Sequence, residues 1–160
     1  MHTENVVIMR GDLDHIVALA SDIERWPLIL PHYRWVTLLT GGGDAKTVEM
    51  AARQGRTPLR WRAVQTIGRG GSTPVITYKH IWGVTKGMDV VWTFERRADD
   101  VVVRIHHDFS PPWPVIGAFA SERVIGPRFV APVANLTLAT IKRIVETASG
   151  KPTADGAAAS

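Results

Sequence analysis

The feature that most constrains the fold is a stretch at 33–109 in which apolar and polar residues alternate between short turn-forming breaks. Glycine clusters mark breaks at 41–44, 68–71 and 83–87, and a further turn falls at 98–100. Alternation with a period of two is typical of strands, and glycine-rich breaks are typical of tight turns. These four breaks leave five segments, and the one at 45–67 contains a separate strand at 59–67. Because the segments leave no room for crossover helices, we expect six consecutive strands joined by hairpins into an antiparallel sheet.

The residues before this stretch predict one more strand and two short helices. A Val/Ile-rich run at 5–10 is typical of a strand. Asp12 is a candidate N-cap for a helix through Ser21, because apolar residues recur at helical spacing after it. A second short helical stretch is expected at 23–30.

The residues after the stretch predict a long helix. The pattern turns helical after the proline-rich segment 111–114 and stays so to about Thr147. Pro127 and Pro132 are expected to kink or delay this helix. The small and polar residues 149–160 are expected to form a disordered tail. The pattern as a whole therefore predicts an α+β fold in which a curved sheet wraps around a C-terminal helix.

Length and composition favour one soluble domain, at 1–148. The chain has 160 residues, 45% hydrophobic and 21% charged, which is typical of a globular protein with a single core. Its longest apolar runs fall far short of the roughly 20 residues that a membrane span needs. The first residues lack a basic segment and an apolar core, so we expect no secretory signal and a cytoplasmic location.

The formal net charge of +4 raises the question of an anionic partner. Nucleic-acid binding needs cations clustered on one face, whereas here the basic pairs lie in separate segments with no accompanying motif. We therefore expect solvated surface charges and no nucleic-acid partner. The oligomeric state stays open, with a homodimer among the alternatives. The separated basic pairs are Arg60/Arg62, Arg96/Arg97 and Lys142/Arg143.

The strand at 59–67 gives the clearest assignment of faces. Its polar residues Arg60, Arg62 and Thr66 alternate with apolar residues, so they should face solvent. The same parity places Gln65 on the inner face, where an amide needs partners or water. The other residues expected on this inner face are Leu59, Trp61, Ala63 and Ile67.

The remaining strands add inward aromatic and polar residues. His107 shares a face with apolar neighbours, including Ile105, while His106 points to the opposite face. The inner faces should also carry aromatic residues, and a curved sheet lined by them favours a pocket partly filled by the helix. Inward polar residues fit either such a pocket or a satisfied core hydrogen bond. The further inward residues are Tyr33, Tyr78, His80, Trp82 and Trp92.

Other kinds of site find little support in the sequence. His106 and His107 point to opposite faces and cannot chelate one metal without distortion, so no metal site is expected. The glycine clusters at 41–43 and 68–71 precede neither Lys-Ser/Thr nor a helix, so they are hairpin turns and not phosphate loops. No serine lies in a nucleophile-elbow context. No cofactor is expected.

Several short motifs, in order, resemble the polyketide cyclase/dehydrase group of the Bet v 1/START-like (SRPBCC) superfamily. The likeness covers about residues 5–147, and the order and spacing of the motifs are more specific for the fold than for an activity. The motifs are 22–27 (DIERWP), 31–33 (PHY), 92–94 (WTF), 107–109 (HDF) and 141–146 (IKRIVE).

The resemblance implies a helix-grip fold with a seven-stranded antiparallel sheet, two short helices and a long C-terminal helix that closes a hydrophobic cavity. Members of the group include aromatase/cyclases that close rings in poly-β-ketone chains by aldol reaction and dehydration. Other members only bind quinones, lipids or hormones. The fold alone does not choose between these activities.

The resemblance also suggests site residues. In the cyclases a Tyr on the second strand, a Ser and an Arg on the fourth and a His on the last are implicated, and Tyr33 and His107 match two of these. The Ser and Arg positions hold Ala63 and Gln65, and an Asp position on the long helix falls near Asn135. A helical wheel places Asn135 away from the apolar centre of that helix. Losing the Arg removes the cation best suited to an enolate, because an amide donates only a weaker neutral hydrogen bond.

Two functions therefore compete. One is a carrier or sensor of a hydrophobic molecule such as a polyketide, a quinone or a lipid. The other is a cyclase/dehydrase in which His107 transfers protons while Tyr33 and Gln65 orient carbonyl oxygens. Both functions use one pocket, whose expected ligand-binding residues are Trp61, Ala63, Tyr78, His80, Trp82, Trp92, Ile105 and Asn135.

Overall fold

The computed structural model describes residues 1–110 and 121–150, and it contains the predicted seven-stranded antiparallel sheet. The strands are β1 (His2–Arg10), β2 (Tyr33–Gly42), β3 (Ala45–Gln54), β4 (Thr57–Gly68), β5 (Val75–Gly83), β6 (Met88–Arg97) and β7 (Asp100–Phe109). Their order across the sheet is β1-β7-β6-β5-β4-β3-β2, so β2 to β7 follow one another as hairpins and β1 pairs with β7. The curved sheet therefore has β1 and β2 as its edges.

The two short helices follow β1 and precede β2 in the chain. Helix α1 (Leu13–Ser21) begins at Asp12, whose Oδ2 accepts a hydrogen bond of 2.9 Å from the His15 amide. This is the N-cap that the sequence predicted. A 3₁₀ turn (Ile23–Arg25) then leads into helix α2 (Trp26–Ile29), which confirms the second helical stretch.

The C-terminal helix α3 (Ala131–Ser149) follows a π-helical segment (Ser121–Val130). Pro127 lies inside that π-helical segment, and Pro132 lies in the first turn of α3, where a missing amide hydrogen costs little. Its buried residues include Ala134 and Leu138, which recur at helical spacing. The predicted helix start after 111–114 lies outside the described residues, as does the predicted tail apart from its first two residues. None of the helices in the described part of the chain is long and apolar enough to span a membrane.

The predicted face assignments hold on β4 and β7. Along β4, Trp61 and Gln65 are buried while Arg60 and Thr66 are exposed. On β7, His107 is buried and only 6% exposed. The concave face of the sheet and helix α3 therefore enclose the core.

The prediction that Trp82 faces inward is wrong. In the pairing of β4 with β5, Arg62 lies opposite Trp82 and the next residue, Ala63, lies opposite His80, so Ile81 is an extra residue. Such a bulge reverses the facing of every residue beyond it. Trp82 is consequently 44% exposed on the outer face. Gly83 completes the irregularity at a φ of 98°, where a Cβ would lie 2.5 Å from the Arg60 carbonyl oxygen.

Candidate functional site

A cavity of about 90 Å³ lies between the concave face of the sheet and helix α3. Its walls are mostly aromatic and aliphatic, and four polar side chains interrupt them. The aromatic lining residues are Trp26, Tyr33, Trp61, Tyr78, Trp92 and Phe129. The aliphatic ones are Met50, Leu59, Val84, Met88, Val90, Ile105, Val130, Val133 and Ala134, and the polar ones are His80, Thr85, His107 and Thr137.

Most of the predicted site residues meet at this cavity. Two of the three candidate catalytic residues, Tyr33 and His107, contribute to its wall. They come from opposite parts of the sheet, β2 and β7, which the curvature brings to the same space. The predicted ligand-binding residues that line it are Trp61, Tyr78, His80, Trp92 and Ile105.

An aromatic cluster centred on Trp26 forms one side of the cavity. Its ring centroid lies 4.9 Å from that of Tyr33, 6.2 Å from that of Tyr78 and 6.1 Å from that of Trp92. The indole nitrogen of Trp26 donates to the Leu19 carbonyl oxygen at 2.9 Å, which fixes the ring against α1. Tilted aromatic contacts of this kind give a wall of defined shape.

Among the polar residues of the cavity, His107 is the one for which no hydrogen bond to a described residue is present. Its Nδ1 is buried and unpartnered among the described residues. Burial lowers the pKa of His107 from 6.5 to about 4, with a smaller contribution from the neighbouring His106. The ring is therefore neutral at neutral pH, and it offers one donor and one acceptor.

His80 is held more firmly, at the β5 end of the cavity. Its ring stacks on the Trp61 indole with 5.8 Å between centroids and 7° between planes. Its Nδ1 lies 2.7 Å from the Thr85 hydroxyl oxygen, in the turn between β5 and β6. Burial lowers its pKa to about 3, and His107 adds to this effect. His80 is therefore, with His107, a second neutral imidazole in the wall of the cavity.

Tyr33 lies among further buried polar groups at the α3 side. Its ring centroid is 4.8 Å from that of His32. The His32 Nε2 is 2.8 Å from the Thr137 hydroxyl oxygen, and the Thr137 hydroxyl donates to the Val133 carbonyl oxygen at 2.8 Å. Burial raises the pKa of Tyr33, so its phenol stays protonated and can donate.

Gln65 and Ala63 are buried but do not line the cavity, contrary to prediction. The Gln65 Nε2 donates to the Ser21 carbonyl oxygen and to the Tyr78 hydroxyl oxygen, both at 2.9 Å. The Tyr78 hydroxyl in turn donates to the Ala20 carbonyl oxygen at 3.1 Å. The amide of Gln65 therefore ties β4 to the end of α1, and it is not placed to orient a carbonyl group in the cavity.

Asn135 and Trp82 also lie outside the cavity. Asn135 is exposed on α3, and its side-chain oxygen accepts a hydrogen bond of 2.7 Å from the Asn5 amide. This position agrees with the helical wheel, which places Asn135 away from the apolar centre of the helix. Trp82 is on the outer face because of the bulge at Ile81.

Sequence reasoning missed Thr85 and Thr137, and it used Trp26 only as part of a motif. Thr137 lies on the buried face of α3 together with Ala134 and Ile141, at helical spacing, so the periodicity of the helix could have identified it. Thr85 lies in a turn, where no periodicity gives its direction. Its role depends on the position of His80 in space.

Within 1–110 and 121–150, no group of three His, Asp or Glu side chains is arranged to hold a metal ion. The residues of the cavity offer hydrogen bonds and apolar contact. Their chemistry suits an apolar organic molecule with few polar atoms.

Comparisons of the whole chain agree with this architecture. Among solved structures, the ZhuI aromatase/cyclase of Streptomyces sp. R1128 has a TM-score of 0.68 at 18% identity, over 90% of this chain and 95% of that one. A STAR-related lipid transfer protein of Xanthomonas axonopodis has a TM-score of 0.65 at 15% identity, over 90% of this chain and 85% of the other. The likeness to both is a likeness of fold.

The sequence comparisons identify the family. A protein of Streptomyces halstedii that carries the provisional name polyketide cyclase is 24% identical over 104 residues, which are 64% of this chain and 95% of that protein. Residues 12–125 match the family described as polyketide cyclase / dehydrase and lipid transport. The chain belongs to this polyketide cyclase/dehydrase and lipid transport family.

Proposed function

We propose that this protein binds a hydrophobic small molecule in the cavity between the sheet and α3, as a carrier or sensor. One observation carries the proposal: an aromatic and aliphatic cavity in which neutral buried histidines supply the polar contacts. Small-molecule sites are typically apolar spaces with a few converging polar groups. The family supports ligands of the polyketide or lipid-like classes, and a quinone is the third class that the sequence resemblance implies.

The size of the cavity limits what it holds in this conformation. An engineered cavity of about 150 Å³ binds benzene, and drug-sized ligands occupy about 300–1,000 Å³. At about 90 Å³, the present cavity is smaller than both. Even a ligand of one ring must therefore widen it, and a ligand of several rings must widen it further. The lining residues best able to give way are the incompletely buried Leu59, Val84, Phe129 and Val133.

A cavity-filling variant tests the proposal. Ala134 is buried in the cavity wall, and Ala139 is exposed on the same helix, so Ala134→Phe and Ala139→Phe form a matched pair. Isothermal titration with ethylbenzene and with 2-methyl-1,4-naphthoquinone measures binding of one ring and of two. We expect Ala134→Phe to abolish binding and Ala139→Phe to retain it.

Native mass spectrometry of the freshly purified protein adds the identity of any co-purifying compound. Equal binding by the two alanine variants, with both folded by circular dichroism, would contradict a ligand site in this cavity. So would the failure of wild-type protein to bind either probe.

Catalysis of aldol cyclisation and dehydration is a second candidate, because Tyr33 and His107 line one cavity. A pKa of about 4 makes His107 a weak base at neutral pH, since general bases work best with a pKa near the working pH. Turnover of a poly-β-ketone analogue by wild type, lost roughly 100-fold or more in His107→Ala and Tyr33→Phe, would favour the enzyme. Unchanged cyclisation in both variants would contradict these catalytic roles.

A further inference from the structure

His80 and His107 are the two histidines in the cavity wall, and we call them the histidine pair. Both line the cavity, and they are 7% and 6% exposed. They come from β5 and β7, the two strands on either side of β6. The pair therefore presents two imidazole rings to the same cavity.

The histidine pair has hydrogen-bonding capacity that the described residues do not use. The Nδ1 of His80 is engaged by Thr85, whereas neither ring nitrogen of His107 is hydrogen-bonded to a described residue. A polar group removed from water without a hydrogen bond costs free energy, and a bound molecule that supplies the bond to a ring nitrogen facing the cavity offsets this cost. Because the His107 ring lines the cavity, the arrangement favours a ligand that carries an oxygen next to it.

The charge of the cavity wall restricts the ligand further. None of the described lining residues is Asp, Glu, Lys or Arg. A carboxylate or an ammonium group would lose its hydration here without a counter-ion from these lining residues. Protonating a histidine could supply one, but burial opposes the charged form of both rings.

From this we infer that the cavity selects an uncharged ligand that places a hydroxyl or carbonyl oxygen against the histidine pair, and that it rejects carboxylates and amines. The inference rests on the proposed function, and it narrows the ligand classes to neutral phenols, alcohols, ketones and quinones. Free fatty acids and amine ligands are excluded.

Three probes of similar size test the inference: ethylbenzene, 4-ethylphenol and 4-ethylbenzoate. At about pH 7.5 the first two are neutral, because phenols titrate near 10, and the third is an anion. Isothermal titration of the wild-type protein should show 4-ethylphenol binding about tenfold more tightly than ethylbenzene, the gain expected from one satisfied buried hydrogen bond. The binding of 4-ethylbenzoate should be at least about tenfold weaker than that of ethylbenzene.

Substitution of His107 then tests whether this residue causes the preference for 4-ethylphenol over ethylbenzene. His107→Leu should bring the affinities for 4-ethylphenol and ethylbenzene within about twofold of each other, and His107→Gln should keep part of the difference. His106→Leu is the matched control, because His106 is the adjacent residue on the opposite face, and it should behave as wild type. Should His107→Leu fail to fold, the Gln variant and the wild-type probe series decide the question.

The outcomes separate the two claims. If ethylbenzene binds but the phenol gains nothing, or if the carboxylate binds as well as the neutral probes, the inference fails while the proposed function stands. If a preference for phenol is present but unchanged in His107→Leu, the histidine is not its source and the inference is overturned. If no probe binds, both claims fail.

Discussion

The inner and outer faces of strands β4 and β5 each place a tryptophan against a nitrogen-containing side chain, which is neutral on the inner face and charged on the outer face. On the inner face, Trp61 stacks on His80, a ring that burial keeps neutral. On the outer face, the Arg60 guanidinium lies 5.5 Å from the Trp82 ring centroid. An aromatic surface thus faces a neutral imidazole where water is excluded and a cation where water remains. Burial, more than residue type, therefore sets the chemistry of each face.

The outer face is also linked by ion pairs. Glu49 on β3 accepts hydrogen bonds from Arg60 at 2.6 Å and from Arg62 at 2.7 Å, and these contacts lower the pKa of its carboxyl group. Trp35 adds a second ring, with its centroid 5.6 Å from the Arg60 guanidinium. On the outer face, Glu49 is therefore paired with groups of opposite charge. On the inner face, the Nδ1 of His107 has no hydrogen-bond partner among the described residues.

The largest expected effect comes from removing one tryptophan on each face. Trp61→Ala should lower the free energy of unfolding by about 3–5 kcal/mol, because the indole is 8% exposed and its removal enlarges the cavity. Trp82→Ala should cost about 1 kcal/mol or less, because that indole is 44% exposed. Urea unfolding of both variants measures the difference. Equal losses would contradict the assignment of faces around the bulge.

Acid should destabilise the protein through its buried histidines first. The folded pKa values of His80, His107 and His32, about 3, about 4 and about 4, lie below the ordinary value of 6.5, so the unfolded chain binds more protons below 6.5. Stability is therefore complete above pH 6.5 and falls as the pH drops towards the folded pKa, by on the order of 1 kcal/mol per pH unit for each ring. Urea unfolding between about pH 6.5 and pH 5 measures this slope, above the range in which carboxylates titrate.

A histidine variant tests the source of that slope. His107→Leu should reduce the pH dependence of the free energy of unfolding between about pH 6.5 and pH 5 by the part that the His107 ring contributes. His106→Leu should leave this dependence nearly unchanged. An unaltered slope in His107→Leu would mean that this ring is not a buried neutral group.

The tie between β4 and α1 gives a smaller effect. Gln65→Leu removes the donor shared by the Ser21 carbonyl oxygen and the Tyr78 hydroxyl oxygen, and it should cost about 1–3 kcal/mol of stability. Because Gln65 does not line the cavity, the affinity for ethylbenzene should stay within about twofold. Thr66→Val, at the next and exposed position, is the control. A large loss of affinity without loss of stability would restore Gln65 as a binding residue.

The smallest effect belongs to the outer ion pairs. Glu49→Gln breaks the contacts to Arg60 and Arg62. The Glu49 side chain is only 11% exposed, but those of the two arginines are 54% and 41% exposed, so solvent and salt reach and screen the ion pairs. Its loss of stability should be smaller than that of Gln65→Leu, and it should shrink as NaCl rises from about 0.05 to about 1 M. Chemical unfolding by urea at the two salt concentrations tests this. A loss of stability that does not change with salt would contradict the screening of the Glu49 ion pairs by solvent.

Most of the fold could be predicted from local patterns. Alternation from 33 to 109 predicted the six hairpin strands, and Asp12 predicted the start of α1, because strand period and helix caps depend on neighbouring residues. The direction of Trp82 could not be predicted in this way. A bulge at Ile81 depends on how two strands pair, and alternation along one strand does not record it.

The sequence by itself determined the order of β2 to β7, the parity of β4 and β7 and the presence of inward histidine and aromatic residues, since these follow from hairpin connections and side-chain periodicity. The pairing of β1 with β7 joins strands that are distant in the chain, and it was decided by the tertiary structure. Tertiary structure alone decided which inward residues meet. Gln65 and His107 were both predicted to be buried polar residues, yet the first contacts the end of α1 and the second lines the cavity. Periodicity specifies a side of the sheet, whereas the distance from a residue to α1 or α3 depends on the curvature of the whole sheet.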